Sequence, residues 1–259
     1  MNKVLLSVAG FDPSTGAGVS LDLSVFAAFG FPGMGVLTSL TAQNTRQVRK
    51  VLPVPPNFLR LQTTTLLSDV NFAGLKVGML GTGENIPVIS MILGKINGRP
   101  KVVDPVLRAS SGAWLLEKKC FLPYLSAIKG KASVLTPNLI EAERIAGIKV
   151  GQLNEMKEAA RKIADRLHFP CLIKGGHLPG RVFDVLFDGK ATYVYEREKI
   201  RRDVHGTGCL FSSSLLCYLA KGAPLERACG LAGQFTHRAI KNSIKVGRGR
   251  NLFFFSRAL

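Results

Sequence analysis

Short apolar runs along the chain alternate with longer segments whose apolar residues recur every three or four positions. The short runs predict buried strands, whereas the longer spacing predicts helices that pack on one face. Strands are predicted at residues 3–9, 35–42, 75–79, 101–103, 133–135, 171–174 and 182–187, and residues 192–195 pair with the last as a hairpin across Asp188 and Gly189. Helices are predicted from about residue 16 to residue 30, at residues 56–67, 86–96, 154–167, 209–220 and 225–243, and after Asn138 in a segment carrying Glu141 and Glu143.

Strands and helices alternate nearly throughout the chain. This order is typical of an α/β fold with a mostly parallel central sheet and helices on both faces. Ligands of such sheets bind beyond the carboxyl ends of the strands. We therefore expect a site where the segments rich in glycine and polar residues meet, at residues 10–18, 43–44, 104–112, 137–141, 174–177 and 206–209.

The sequence shows no internal repeat and no linker between domains. A chain of 259 residues suits one large α/β domain, which we predict to cover residues 1–250. Residues 251–259 include three consecutive phenylalanines and are predicted to form a C-terminal tail that packs on the domain or on a partner subunit.

Composition argues against several classes of protein. Hydrophobic residues make up 46% and charged residues 20% of the chain, as in globular rather than disordered proteins. No apolar run approaches the roughly 20 residues that span a bilayer, and the N-terminus lacks the features of a secretory leader. The five cysteines form no Cys-x-x-Cys pair, which argues against a disulfide framework or zinc site. We expect a cytoplasmic protein without a membrane partner.

The net charge of +18 is the unusual property of the composition. Such a charge can attract polyanions, either nucleotides or nucleic acid, or it can simply reflect a solvated basic surface. No run of like charges reaches the length that marks a nucleic-acid-binding tail, so we do not expect a nucleic-acid partner.

The segment with the clearest chemistry is Asp-Val-His-Gly-Thr-Gly-Cys at residues 203–209, followed by an apolar helix. Glycines let successive backbone N–H groups point the same way, and the helix N-terminus adds its dipole, so Gly206, Thr207 and Gly208 can form an anion hole for a phosphoryl group. Cys209 lies in the first helical turn, where the dipole favours a thiolate that could take a proton from a hydroxyl. An ordinary tight turn with a core cysteine has the same spacing.

Seven segments together resemble the hydroxymethylpyrimidine/phosphomethylpyrimidine kinases of the ribokinase-like superfamily, and they occur in the order of that family. They are Ser-Val-Ala-Gly-Phe-Asp-Pro-Ser at 7–14 with Gly-Ala-Gly at 16–18, Leu-Thr-Ala-Gln-Asn-Thr at 40–45, Lys-Val-Gly-Met-Leu at 76–80, Asp-Pro-Val at 104–106, Thr-Pro-Asn-Leu at 136–139 with Glu-Ala-Glu at 141–143, Lys-Gly-Gly-His-Leu at 174–178, and His-Gly-Thr-Gly-Cys at 205–209. The resemblance implies a ribokinase-like fold and ATP-dependent phosphorylation of 4-amino-5-hydroxymethyl-2-methylpyrimidine. The resemblance further implies that the product would be the monophosphate and then the diphosphate used in thiamine biosynthesis.

The resemblance also implies roles for individual residues. Cys209 would be the catalytic base, beside the anion hole of Gly206, Thr207 and Gly208. Gln43 would hydrogen-bond the aminopyrimidine edge, since an amide offers a donor and an acceptor together. The remainder of the pyrimidine pocket would be Asp22, Gly10, Ala17, Met79 and Val106. Without the resemblance, Gln43 could be a loop amide bonded to backbone, Asp22 a solvated helix residue, and Met79 and Val106 core residues.

The implied ATP site consists of Lys174, Asp104, Asn138 and Thr207. Asp104 and Glu141 would hold Mg²⁺, which prefers few carboxylates together with water and phosphate oxygens. The same residues could instead be an aspartate that caps a turn, a carboxylate in a first helical turn, and a lysine in a surface ion pair. His177 and His205 are interpreted as residues that orient loops. Because family members tend to form homodimers, the resemblance also implies a homodimer.

The chain departs from the family pattern at three positions. Ser110 stands where the family usually has a lysine, Val204 where it has a threonine, and Thr15 where it has a glycine. The first change falls in a loop expected to close over phosphates, which puts phosphate affinity and the second phosphorylation in question.

Two other functions are compatible with parts of the sequence. A pyridoxal or pyridoxine kinase has a related fold, and its substrate ring also carries a hydroxymethyl group. A catalytically silent basic module that binds nucleic acid or a partner protein would use the charge of +18. Against the silent module stands the presence of every polar element of the site.

Overall fold

The computed structural model describes residues 3–107, 115–176 and 181–255. Within these ranges the strands are β1 (Val4–Phe11), β2 (Gly33–Gln43), β3 (Val48–Pro53), β4 (Phe72–Val77), β5 (Lys101–Val103), β6 (Val134–Leu135), β7 (Cys171–Lys174), β8 (Val182–Phe187) and β9 (Thr192–Arg197). They form one sheet in the order β3-β2-β1-β4-β5-β6-β7-β8-β9. The strands from β2 to β7 in that order run parallel. At one edge β3 pairs antiparallel with β2, and at the other edge β8 pairs antiparallel with both β7 and β9. The predicted mostly parallel sheet is confirmed.

Helices cover both faces of this sheet. They are α1 (Gly18–Ala28), α2 (Pro56–Asp69), α3 (Ile86–Lys95), α4 (Phe121–Ile128), α5 (Leu139–Ala146), α6 (Leu153–Leu167), α7 (Thr207–Ala220) and α8 (Leu225–Lys241), with short 3-10 turns at Gly83–Asn85 and Lys118–Cys120. Helices α1, α7 and α8 contribute to one apolar cluster, and α2 to α6 contribute to the other. The prediction of helices on both faces is therefore confirmed.

Each central strand supplies both clusters because successive side chains of a strand point to opposite faces. In β1, Leu5 packs with α1 and α7, whereas Leu6 and Val8 pack on the opposite side. In β5, Val102 packs on the side of α1 and α7, and Val103 packs on the opposite side. This two-sided burial explains why the inner strands read as continuous apolar runs rather than alternating ones.

The predicted bounds of β5, β7 and β8 match the structure, but two elements were not predicted. Strand β3 lies at the sheet edge and is largely exposed, so it lacks an apolar run. Helix α4 contains Pro123 at its third position, which looks like a helix breaker in the sequence but is tolerated in a first turn.

Residues 251–255, the beginning of the predicted tail, pack against the rest of the fold. Asn251 and Leu252 form bridges to Val204 and Ile244, and Phe253 is buried among the residues of α1, α7 and α8. The division of the chain at residue 250 stays a prediction. Among the described residues, no helix has both the length and the apolar composition that crossing a bilayer requires.

Candidate active site

A cleft of about 670 Å³ lies at the carboxyl ends of the parallel strands. The ends of β1, β2 and β7 and the residues just after β4, β5 and β6 contribute to its lining, as expected for a parallel α/β sheet. All but one of the predicted site residues line this cleft. They are Gly10, Ala17, Gln43, Met79, Asp104, Val106, Asn138, Glu141, Lys174, Gly206, Thr207, Gly208 and Cys209.

The predicted anion hole is formed by a left-handed turn that leads into α7. Gly206 has a φ of 80°, and a Cβ at this position would lie 1.8 Å from the Gly16 backbone oxygen, so only glycine fits. Helix α7 begins at the next residue, and its first N–H groups have no partner within the helix. The turn and the helix therefore direct backbone donors into the cleft, where an anion can bind.

Cys209 lies in the first turn of α7 and is half-buried. Burial raises the pKa of its thiol, and it outweighs the opposite effects of the Lys76 ammonium and of a hydrogen bond from the Gly18 N–H. Loss of solvation therefore opposes the thiolate that the helix dipole favours, and the role of Cys209 as the base stays a prediction. The thiol is the favoured form in the absence of ligand.

Lys174 and Asp104 form an ion pair beside the anion hole. The Lys174 Nζ lies 2.7 Å from the Asp104 Oδ1, and both side chains are largely buried. Although burial by itself lowers the pKa of Lys174, the Asp104 and Glu141 carboxylates outweigh it and raise that pKa above its ordinary value. A Cβ on Gly208 would lie 3.2 Å from the Lys174 Nζ, so this ammonium lies close to the backbone of the predicted anion hole. The arrangement suits a phosphoryl group with several negative oxygens.

Glu141 is held by the start of α5. Its Oε2 accepts a hydrogen bond from the Asn138 N–H at 2.9 Å, and its own N–H donates to the Asn138 Oδ1 at 3.0 Å, which is a capping box. Burial raises the pKa of Glu141 to about 7; Lys174 lowers it, and the nearby Asp104 raises it further. Asp104 and Glu141 are thus two neighbouring carboxylates in the cleft.

The donor set fits a magnesium ion that is bound mainly through phosphate. Among the described residues, no group of three or more His, Cys, Asp or Glu side chains could hold a metal. Mg²⁺ commonly uses only one or two carboxylates and takes its other ligands from water and substrate phosphates. Of the Asp104 carboxylate, Oδ1 is paired with Lys174, while the one hydrogen bond of Oδ2 within the described part of the chain is a 3.5 Å contact with the Ser212 hydroxyl. That oxygen remains available to a cation beside the anion hole.

Gln43 is part of a cluster that the sequence did not predict. Its Nε2 donates a hydrogen bond to the Asp12 Oδ2 at 3.0 Å, and the His205 Nε2 lies 2.9 Å from the same oxygen. The sequence assigns no separate role to Asp12, which belongs to the first resembling segment, and it predicts only that His205 orients a loop. A signal for Asp12 was available, since an aspartate two residues before a serine commonly forms a side-chain turn.

Asp22 is the predicted pocket residue that does not line the cleft. Its side chain is fully buried, and the Lys76 Nζ contacts its two carboxylate oxygens at 2.9 and 2.8 Å. The hydroxyls of Ser7 and Ser213 donate to it as well, at 2.6 and 2.7 Å. Its placement in the pyrimidine pocket is therefore corrected, because four hydrogen bonds from three groups already satisfy the carboxylate inside the protein. A lone lysine within the apolar run of β4 was the signal for a buried partner.

The three departures from the family pattern have different outcomes. Thr15 adopts a φ of 59°, the left-handed backbone for which a glycine is favoured. Val204 is buried and forms a bridge to Asn251. Ser110 and the predicted loop residue His177 lie outside the described residues.

Comparisons with known proteins agree with this geometry. The sequence profile of the family described as phosphomethylpyrimidine kinase matches residues 12–253. The chain is 37% identical over 254 residues to the hydroxymethylpyrimidine/phosphomethylpyrimidine kinase of Aquifex aeolicus (strain VF5), which covers 97% of this chain and 100% of that protein.

Two solved structures extend the comparison to the fold. The pyridoxal kinase from Staphylococcus aureus in complex with pyridoxal superposes with a TM-score of 0.90 at 31% identity, covering 98% of this chain and 93% of that one. The phosphomethylpyrimidine kinase from Clostridium difficile 630 superposes with a TM-score of 0.81 at 34% identity, covering 92% and 100%. The ribokinase-like fold is confirmed. The chain belongs to the phosphomethylpyrimidine kinase family.

Proposed function

We propose that the protein transfers the γ-phosphoryl group of ATP to the hydroxymethyl oxygen of 4-amino-5-hydroxymethyl-2-methylpyrimidine, and then a second phosphoryl group to the monophosphate. The observation that carries this proposal is the convergence of Cys209, the Gly206–Gly208 turn and the Lys174–Asp104 pair in one cleft, in a chain of a kinase family. In each step a new O–P bond forms on the acceptor, the bond to the β,γ-bridging oxygen breaks, and ADP leaves.

Substrate orientation is assigned to the side of the cleft formed by β1 and β2. Gln43 presents an amide to the aminopyrimidine edge, and Gly10, Ala17, Met79 and Val106 surround the ring. A Cβ on Gly10 would lie 2.8 Å from the Ser39 Oγ and 3.2 Å from the Met79 sulfur, so this position is tightly packed without a side chain. Holding the hydroxymethyl group in line with the phosphoryl donor supplies much of the rate of such reactions.

Charge that develops on the transferred group is stabilised by fixed donors. The backbone N–H groups of residues 206–208 and the Lys174 ammonium face the same region of the cleft. The nucleotide site includes Lys174, Asp104, Asn138 and Thr207, and pyridoxal kinase from Staphylococcus aureus has been solved with AMP-PCP and with ADP. Asp104 and Glu141 would hold Mg²⁺, which neutralises phosphate charge when bound.

In the first step Cys209 acts as the base that accepts the proton of the hydroxymethyl hydroxyl. Since its thiol is neutral at rest, the thiolate must form before it can accept this proton. In the second step the acceptor is a phosphate oxygen that is already anionic at neutral pH, so no base is needed. The two steps therefore differ in their dependence on Cys209, although both use the same anion hole.

The test measures ADP release in a coupled assay with ATP and Mg²⁺, separately for the pyrimidine alcohol, its monophosphate and pyridoxal. Cys209→Ala should lower turnover of the alcohol by about 10²–10⁴-fold, the usual contribution of a general base, and affect the monophosphate much less. Cys120→Ala is the matched control, since Cys120 is also half-buried but does not line the cleft. Removal of Mg²⁺ with EDTA should stop both steps.

Pyridoxal kinase activity is the second candidate, and the TM-score of 0.90 to the Staphylococcus aureus enzyme favours it. Turnover of pyridoxal without turnover of the pyrimidine alcohol would replace the proposed substrate and retain the site. Absence of turnover with all three acceptors would refute the catalytic assignment. The predicted homodimer is tested independently by size-exclusion chromatography with light scattering.

A further inference from the structure

The Asp12 carboxylate is fixed by its own turn. Its Oδ1 accepts hydrogen bonds from the Ser14 N–H at 2.8 Å and from the Ser14 hydroxyl at 2.7 Å. The side chain is almost fully buried. Burial raises the pKa of Asp12, but the hydrogen bonds from His205 and Ser14 outweigh it and hold that pKa below its ordinary value. Asp12 is therefore an ionised acceptor whose second oxygen, Oδ2, has a fixed position.

His205 is also held from outside the cluster. The backbone N–H of His205 donates to the Asn251 backbone oxygen at 3.0 Å. A Cβ on Gly16 would lie 2.4 Å from the His205 ring. The backbone of His205 is therefore fixed, and its ring packs closely against Gly16. Since Asp12 Oδ2 can only accept, the proton of the His205 Nε2 points to it over 2.9 Å.

These two fixed groups dictate how the Gln43 amide is oriented. Its oxygen cannot face the Asp12 carboxylate, since two acceptors would repel, so the nitrogen does. The distances of 3.0, 2.8 and 2.9 Å among Gln43 Nε2, His205 Nε2 and Asp12 Oδ2 form a nearly equilateral triangle. Asp12 Oδ2 accepts from both nitrogens, so the 2.8 Å contact between Gln43 Nε2 and His205 Nε2 joins two donors and is not a hydrogen bond. The two amide hydrogens diverge by about 120°, so only one of them can point into this triangle.

The Gln43 oxygen accepts a long hydrogen bond of 3.4 Å from the Thr41 hydroxyl. Its second lone pair and the other amide hydrogen point away from the triangle and can meet a ligand. An aminopyrimidine edge has an exocyclic N–H donor next to a ring-nitrogen acceptor, and it matches an amide at two points. The pyridoxal ring carries its hydroxyl away from the ring nitrogen, so it can match the same amide at only one point. The orientation of Gln43 therefore matters more for the first ligand than for the second.

We propose that Asp12 and His205 are positioning residues that fix the Gln43 amide for two-point recognition of an aminopyrimidine, and so set the preference for this ring over a hydroxypyridine. The inference rests on the proposed function. It assigns a role to a cluster joined across 193 residues of the chain, between Asp12 and His205.

The test uses Asp12→Asn, which keeps the turn oxygen but can place an N–H donor where Oδ2 now accepts. The Gln43 amide should then reverse. Loss of a hydrogen bond to a charged group corresponds to about a 10- to 100-fold change, and we expect this as a rise in KM for the pyrimidine alcohol with little change in kcat. The KM for pyridoxal, or its inhibition constant, should change by less than about 3-fold, since one-point contacts do not depend on amide orientation.

His205→Ala and His205→Gln form a second pair. Alanine removes the donor that holds Asp12, whereas the glutamine amide can restore an N–H near the Nε2 position, so glutamine should recover most of the pyrimidine KM. Asp188→Asn is the matched control. Asp188 forms a comparable turn through the Lys190 and Ala191 N–H groups, but it does not line the cleft. Far-UV circular dichroism verifies that each variant is folded.

The outcomes separate the two proposals. Wild-type turnover of the pyrimidine with unchanged KM in Asp12→Asn and His205→Ala would overturn this inference alone. Equal losses for pyrimidine and pyridoxal would also overturn it, because they would indicate a general structural role. If the wild-type protein did not use the pyrimidine at all, the proposed function would fail and the inference with it.

Discussion

The buried pair of Lys76 and Asp22 gives the most direct prediction about stability. Both side chains are 0% exposed, and the Lys76 Nζ lies 2.8 Å from the nearer carboxylate oxygen. Lys76→Met keeps most of the side-chain volume but leaves the Asp22 carboxylate with only the hydroxyls of Ser7 and Ser213. Removal of one partner of a buried pair typically costs about 3–5 kcal/mol, and we expect the free energy of unfolding to fall by this amount.

The assay is urea denaturation at pH 7 followed by far-UV circular dichroism, for Lys76→Met, Asp22→Asn and the double variant. The double variant has no charge at either position of this pair, so it should recover a large part of the loss, about 2 kcal/mol or more relative to the sum of the single variants. Lys162→Met is the control, because Lys162 and Glu158 form an exposed pair at 2.8 Å. Breaking that pair should cost less than about 0.5 kcal/mol.

The pair should also tolerate a wide pH range. Burial lowers the pKa of Lys76, but the Asp22 carboxylate outweighs it and raises the pKa above its ordinary value. A raised pKa in the folded state gives a contribution to stability that is complete at neutral pH and is lost only as the pH rises into the alkaline range.

If the free energy of unfolding fell by less than about 1 kcal/mol in Lys76→Met, or did not recover in the double variant, the explanation based on the buried pair would be refuted.

Three further predictions concern the cleft. Alkylation of Cys209 by iodoacetamide, followed by mass spectrometry, should be slow at pH 7 and accelerate toward alkaline pH, since burial raises the thiol pKa; rapid labelling at pH 7 would contradict this. Gly206→Ala should reduce kcat by about 10²–10³-fold, because its Cβ collides with backbone and the anion-hole donors move; wild-type kcat would refute the anion hole. Gly249→Ala places a Cβ 2.1 Å from the Thr45 backbone oxygen and should raise the substrate KM by displacing the loop after β2, whereas Gly94→Ala meets nothing within 4 Å and should leave KM unchanged.

Much of the sheet could be predicted from the sequence because its inner strands are buried on both faces. Strands β5, β7 and β8 read as short apolar runs, and their predicted bounds match the structure. The turn at Gly206 could also be predicted, because a left-handed turn favours glycine and here glycines stand directly before an apolar helical segment. Strand β3 was missed, because an exposed edge strand does not need an apolar pattern.

The tertiary structure decided what each polar side chain does. The pairing of Lys76 with Asp22 joins residues 54 positions apart. The Thr45 hydroxyl accepts a hydrogen bond from the N–H of Gly249, which is 204 positions away. The family resemblance placed Asp22 in the predicted pocket, whereas in the structure its side chain is buried in the protein interior. The burial that raises the pKa of the Cys209 thiol likewise depends on segments distant in the sequence. The sequence by itself determined local geometry, namely strands, turns and helix starts, because neighbouring residues control backbone conformation. Solvation and hydrogen-bond partners depend on distant segments that meet only after folding, and these set the charge and orientation of the groups in the cleft.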